Sequence, residues 1–255
     1  MPGAITDEEL LDVAVEAARA AGAVLLPRFG SETALATKST RTDLVSAADL
    51  DAEAAIRAVL SVRVPDDAVV GEEGEDAAGT TGRRWIVDPL DGTVNFLYGI
   101  PMWAVSIACE DRVGVVFDPV RDELFCAIAG QGARLGDAPL GPGDVDDLGL
   151  ALVATGFGYD AERRALQAAV AARVLPQVRD VRRAGAAALD LAWCAAGRLD
   201  AYWERGVNPW DVAAGELICR EAGRTVRRLD PAAPLPWGTL AAAPGIADAL
   251  AALVA

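Results

Sequence analysis

The chain has 255 residues, of which 38 are acidic and 23 basic, for a net charge of −15, and it contains no histidine. Its apolar fraction of 53% supports a sizeable core, whereas the acidic balance sets it against nucleic-acid backbones and anionic membranes as partners. Without histidine there is no Ser-His-Asp or Cys-His catalysis, no histidine-bound zinc and no phosphohistidine chemistry, so a general base must be a carboxylate, an assisted hydroxyl or a metal-held water.

In chain order, Thr6-Asp7-Glu8-Glu9 has the form of a capping box before an apolar-periodic stretch, which predicts a helix from Asp7 to Phe29, kinked or stopped at Pro27. Met1 to Glu9 is acidic and lacks the order of a secretory leader. No uncharged apolar run reaches the roughly 18 residues of a membrane span, so a cytoplasmic protein with no membrane partner is expected. Thr33 to Thr42 is polar and reads as an extended loop or hairpin, and a second helix is predicted from Ser46 to Ser61. Short strands are predicted at Ala68–Gly71 and Trp85–Val87, and the alternation from Trp103 to Ile128 predicts an antiparallel meander. Gly136 to Gly149, rich in Gly, Pro and Asp, divides the chain into an N-terminal α+β subdomain, 1–145, and a C-terminal α/β subdomain, 146–255. Beyond it, strands near Ala151–Thr155, Val178–Arg182, Leu199–Trp203, Thr225–Leu229 and Thr239–Ala243 alternate with helices near Asp160–Leu175, Gly185–Ala196, Pro209–Ala222 and Pro244–Val254. Cys109, Cys126, Cys194 and Cys219 lie among apolar residues in no C-x-x-C pair, and are expected to be reduced and buried.

The segment Asp88-Pro89-Leu90-Asp91-Gly92-Thr93 carries the strongest chemical signal. Pro89 disfavours helix at Asp88, so the strand should run through Asp88. Gly92 permits a tight turn, and Thr93 suits a helix N-cap. Two carboxylates beside free backbone N–H groups can hold a hard cation and a phosphate together. Alone, the segment is equally an ordinary strand-to-helix turn with a capping acid. Gly71-Glu72-Glu73 places another carboxylate at a strand end, where a solvated acidic loop is the plainer reading. Trp210-Asp211 opens a helical pattern, where an acid is favoured by the dipole in any case.

Taken together these segments resemble the signatures of the inositol monophosphatase family: Glu72, the run from Trp85 to Phe96, and Trp210-Asp211-Val212-Ala213-Ala214-Gly215. Lys38 with Asp43 to Asp49 resembles that family's N-terminal motif, and Gly185 to Asp190 its substrate-side turn. The resemblance implies a layered αβαβα sandwich, a homodimer, lithium sensitivity, and Mg²⁺-dependent hydrolysis of a small phosphate monoester. It implies two to three Mg²⁺ ions per subunit. Glu72, Asp88 and the Leu90 carbonyl would hold one, Asp88, Asp91 and Asp211 the second, and a weaker third would lie near Glu72. Thr93 paired with Glu72 would orient and help deprotonate the attacking water. Asp91, Gly92, Thr93, Gly185, Ala187, Glu204 and Asp211 would meet the substrate, with Asp200 a further neighbour. Lys38 would balance the acidic cluster, and Asp49 would help order it through water.

Two positions depart from the family pattern: Ser46 replaces a frequent threonine, and Ala186 replaces a serine or threonine and loses its hydroxyl. Glu204 and Gly185-Ala186-Ala187 favour inositol 1-phosphate, and the expected lack of extra basic residues nearby argues against a bisphosphate or nucleotide. The alternatives are histidinol phosphate, fructose 1,6-bisphosphate or adenosine 3′,5′-bisphosphate as substrate, or a regulatory binding protein that retains the fold.

Overall fold

The computed structural model describes residues 5–31, 33–37 and 44–255. Thr6 and Glu9 close the expected capping box at the head of α1 (Asp7–Leu25), which ends just before Pro27 in a short 3₁₀ turn. Strand β1 (Ala34–Thr37) pairs antiparallel with β2 (Leu44–Ser46), and Ser46 then caps α2 (Ala47–Arg63), with Asp49 completing a second capping box. Next come β3 (Ala68–Gly71), β4 (Arg84–Asp91), the one-turn helix α3 (Thr93–Leu97), β5 (Ala104–Cys109), β6 (Val113–Asp118), β7 (Glu123–Ile128), β8 (Gly132–Leu135) and β9 (Ala138–Pro139). The second half runs β10 (Leu152–Thr155), α4 (Ala161–Val174), β11 (Asp180–Arg182), α5 (Ala187–Ala195), β12 (Ala201–Arg205), α6 (Pro209–Glu221), β13 (Thr225–Leu229), β14 (Gly238–Ala242) and α7 (Ala247–Val254).

Two sheets organise these elements. Seven strands follow in sequence order from β3 to β9, parallel at β3–β4 and antiparallel from there on. Five strands form the second sheet in the order β11-β10-β12-β14-β13, parallel at its first three strands and antiparallel at the rest. Helices α1 and α2 cover one face of the larger sheet, α5 and α6 fill the space between the sheets, and α4 with α7 covers the far face of the smaller one. The result is the expected αβαβα sandwich. Because both faces of the larger sheet are covered, β5 and β6 are buried at every position, which is why they read as continuous apolar runs. All four cysteines are free and buried in these cores. Among the described residues, no helix is long and apolar enough to cross a membrane.

The layers decide where acidic side chains can gather. β4 ends where α5 and α6 begin, so the last residues of one sheet's strand face the N-termini of the two helices between the sheets. Helix α6 also packs closely on α5: a Cβ at Gly215 would lie 2.6 Å from that of Leu191, so only glycine permits the approach that brings Asp211 toward β4.

Candidate active site

Residues 88 and 91 are three apart, and in a regular strand their side chains would point to opposite faces. The ladder between β4 and β5 resolves this. Asp88 pairs with Ser106 and Asp91 with Ala104, so three steps along β4 match two along β5. The extra residue makes a bulge at Pro89-Leu90, where Pro89 has no N–H to offer the ladder. Both carboxylates thereby face one cavity. Asp88 Oδ1 accepts the Leu90 N–H at 3.0 Å, which fixes the turn.

Gly92 then takes a left-handed conformation, φ +96, and a Cβ there would meet the Met102 carbonyl at 2.9 Å. Gly92, rather than the expected Thr93, occupies the cap position of α3. The Thr93 hydroxyl is spent elsewhere, 2.9 Å from Asp49 Oδ1 and 3.2 Å from the Leu90 carbonyl oxygen. Asp49 thus meets the Thr93 hydroxyl directly, side chain to side chain. Asp49 Oδ2 in turn accepts from the Ser46 N–H at 2.8 Å and the Ser46 hydroxyl at 2.6 Å, so the same residue caps α2 and orients Thr93.

Asp91 reaches into the second half of the chain. Its Oδ1 accepts the Ala187 N–H at 3.1 Å and its Oδ2 the Ala188 N–H at 2.7 Å. It therefore caps α5, whose own cap residue, Ala186, has no side-chain oxygen. The hydroxyl missing at Ala186 is compensated by a carboxylate from β4. Asn95 adds a second tie by donating to the Met102 and Ala184 carbonyls at 2.7 and 2.9 Å. Asp211 is set by its own helix: at the third position of α6 it accepts the Asn208 N–H at 2.6 Å.

These side chains wall a cavity of about 610 Å³. Glu72, Asp88, Leu90, Asp91, Gly92, Thr93, Gly185, Ala187, Glu204 and Asp211 all line it. Asp49 lies buried behind Thr93. Asp200 is not at the cavity; its carboxylate accepts the Leu152 N–H at the foot of the smaller sheet. Lys38 lies outside the described residues. The loop Gly156–Tyr159, Asn208, Arg163 and Arg183 also line the cavity and were not singled out from the sequence. The two arginines correct the expectation that basic residues are absent there. The adjacent arginines ahead of Gly185 were the available signal, whereas Arg163 reads as an ordinary residue in the first turn of a helix.

Glu53 was missed too. One turn beyond Asp49 on the buried stripe of α2, it is only 2% exposed, and it accepts the Glu73 and Gly74 N–H groups at 2.8 and 2.9 Å and Arg57 Nε at 2.7 Å. Two acids at i and i+4 among Ala48, Ala52 and Ile56 are a signature of buried, partnered carboxylates. Helix α2 thus sets two segments of the cavity wall at once, Thr93 through Asp49 and the Glu72 loop through Glu53.

Burial and crowding raise the proton affinity of the cluster. Asp88 is pushed well above the usual carboxylate range by burial, and further by the charges of Glu72, Asp91 and Asp211. Asp211 is raised by burial, with Glu72 and Asp91 adding to it against the Asn208 N–H. Burial lifts Asp91 to about 7 despite the opposing N–H groups of α5. Glu204 is raised by burial although Tyr202 donates to it at 2.7 Å. Among the described residues, no three of these carboxylates already converge as a closed ligand cage. Backbone N–H groups hold an oxygen of Asp88 and of Asp211 and both oxygens of Asp91. An all-oxygen, mutually repelling donor set of this kind fits a hard divalent cation that completes its shell with water and phosphate oxygens.

A sequence profile of the inositol monophosphatase family matches residues 6–255. The inositol-1-monophosphatase of Mycobacterium leprae (strain TN) is 47% identical over 232 residues, covering 85% of this chain and 80% of that protein. The Nus factor SuhB of Pasteurella multocida (strain Pm70) is 42% identical over 225 residues, covering 85% of this chain and 84% of that protein. The crystal structure of extragenic suppressor protein suhB from Bartonella henselae matches with a TM-score of 0.88 at 36% identity, covering 96% of this chain and 98% of that one.

Two outcomes follow from this geometry. Glu53→Gln removes the Arg57 ion pair and turns a donor toward a backbone N–H, so it should cost about 1–3 kcal/mol and speed amide exchange at Glu73 and Gly74. Unchanged exchange at those two amides would refute the anchoring role. Asp91 is raised from 3.8 to about 7, so the folded chelated protein binds a proton that the unfolded chain has lost between those values. Its contribution is therefore complete below the lower value and disappears as pH rises through the upper one. In chelator, the melting temperature of the wild type relative to Asp91→Asn should fall across that window, and a flat difference would contradict the shift.

Proposed function

Because the chain belongs to the inositol monophosphatase family, we propose that it is a Mg²⁺-dependent phosphatase that releases phosphate from inositol 1-phosphate and kindred polyol monophosphates. The observation that carries this reading is the gathering of Glu72, Asp88, Asp91 and Asp211 on one cavity, where burial and like charge favour an added cation over a bare cluster. Glu72, Asp88, the Leu90 carbonyl, Asp91 and Asp211 would hold two to three ions. When bound, these ions neutralise the phosphate and lower the proton affinity of an attacking water.

The chain's own groups supply the rest. Asp49 accepts the Thr93 proton, which leaves Thr93 Oγ1 free to accept a hydrogen from the attacking water and to aim it. Gly92 and Thr93 receive the phosphate through backbone N–H groups beside Asp91. On the alcohol side, Glu204 accepts substrate hydroxyls, held in place by Tyr202. Gly185 and Ala187 contact the substrate through backbone atoms. This assignment divides the labour between residues 1–145, with most ion ligands, and residues 146–255, with Asp211 and the alcohol side. A homodimer in the cytoplasm is part of the same reading.

The names of the Nus factor relatives support a second role, as a binding protein of the transcription machinery. The acidic cluster favours phosphatase activity as the primary one, because a purely structural fold has no use for repelling buried carboxylates.

Phosphate release from inositol 1-phosphate, with Mg²⁺ and with chelator, tests the reading. The wild type should turn over only with the ion, and Asp91→Asn should lose about 100-fold or more in kcat/KM. No release from any polyol monophosphate in Mg²⁺ would overturn it.

A further inference from the structure

Helix α4 covers the far face of the smaller sheet, yet one of its side chains reaches two walls of the cavity. Its buried stripe is Gln167, Val170 and Val174, and the two valines belong to the apolar core under that face. Gln167 is only 5% exposed. An apolar residue would fill its place without the cost of desolvating an amide, so the amide must be matched by the hydrogen bonds it makes. Its Oε1 accepts the Gly158 N–H at 2.9 Å, and its Nε2 donates to the Arg205 carbonyl oxygen at 2.7 Å. One partner is a donor and the other an acceptor, so a single orientation of the amide serves both.

Those two backbone groups belong to facing walls. Gly156, Phe157, Gly158 and Tyr159 line the cavity beyond the end of β10, and Glu204 lines it from β12. The parallel ladder between these strands has its last pair at Thr155 and Trp203, which leaves Gly156 beside Glu204. A Cβ at Gly156 would overlap the Glu204 carboxylate, so that carboxylate rests against bare backbone. Arg163, one turn before Gln167, spans the same two walls. Its Cδ lies 3.1 Å from where a Cβ at Gly158 would be, and its Nη1 3.3 Å from where one at Gly206 would be.

We infer that Gln167 is a positioning residue that fixes the gap between the Gly156–Tyr159 loop and Glu204, and that this gap sets the discrimination among alcohols. Gln167 meets neither substrate nor ion and acts through Gly158 and Arg205. The inference rests on the phosphatase reading, in which Glu204 accepts the substrate hydroxyls, and adds the residue that keeps that acceptor aligned. Without the amide, the loop and the residue after Glu204 are no longer tied to one group. A polyol then loses a well-placed acceptor, whereas the phosphate, received at Gly92 and Thr93, does not.

Inositol 1-phosphate, which presents ring hydroxyls to Glu204, is compared with 4-nitrophenyl phosphate, which presents none, in the wild type, Gln167→Met and Gly156→Ala. Methionine keeps the length of glutamine and its packing but makes neither hydrogen bond. The kcat/KM in Mg²⁺ for inositol 1-phosphate relative to 4-nitrophenyl phosphate should fall about 10-fold in each variant. In Gln167→Met the fall should lie in KM, with kcat on either ester changed by less than about 2-fold. The ratio is taken within each protein, so a lower yield of folded enzyme cancels, and Gly156→Ala reads the same gap from the other wall. A ratio unchanged in either variant, including the equal loss on both esters that a purely structural amide would give, overturns the inference. Calorimetric Kd values for the two esters separate it from the reading it rests on. Binding of both without phosphate release contradicts the phosphatase reading, and the Kd ratio then tests the gap; hydrolysis with a ratio that no variant moves contradicts the gap alone.

Discussion

Asp88 and Asp91 are buried and Asp211 half-buried within reach of one another's charge, and the surrounding elements are arranged around that constraint. A bulge in β4 turns Asp88 and Asp91 to the same side, α5 offers its N-terminal amides to Asp91, and α6 presents Asp211 from its first turn. Each of these carboxylates accepts from backbone N–H groups, which cannot be titrated away, and among the described residues no arginine forms an ion pair with Asp88, Asp91 or Asp211. The repulsion is therefore left for something else to relieve. That is the physical difference between a structural acidic cluster and a site prepared for a cation.

The same arrangement joins the two halves of the chain. β4 belongs to the larger sheet and α5 and α6 lie between the sheets, so Asp91 is at once a cavity wall and the cap that Ala186 cannot provide. Helix α2 supports the arrangement from behind through two buried acids one turn apart, Asp49 and Glu53. Rigidity here comes from short polar contacts to backbone, since the acids themselves cannot pack against one another.

Much of this was legible in the sequence because the signals are local. The capping box at Thr6, the stop at Pro27, the meander after Trp103 and the helices of the second half rest on periodicity and turn chemistry, and their boundaries are met to within a few residues. The sandwich and the gathering of acids came from matching several motifs at once. What was not legible depends on contacts between distant segments. Thr93 looked like a cap by residue type, but Gly92 can adopt the left-handed turn and Asp49, far away in sequence, claims the hydroxyl. Glu53 has a local signal in its spacing from Asp49, but its partners lie twenty residues on, in the Glu73-Gly74 loop. Arg163 at the cavity was invisible for the same reason, since nothing local says which way a flexible cation will face, whereas Arg183 left the paired arginines ahead of Gly185 as a signal.

The central claim is that these carboxylates form one divalent-cation site. Calorimetric titration of Mg²⁺ into the chelated protein near neutral pH, repeated in buffers of different ionisation enthalpy, tests it most directly. The raised proton affinities predict that binding expels protons, so the apparent heat should vary with the buffer, and that Asp88→Asn abolishes both heat and proton release. Absence of Mg²⁺ binding, or binding of undiminished strength in Asp88→Asn, would contradict the account.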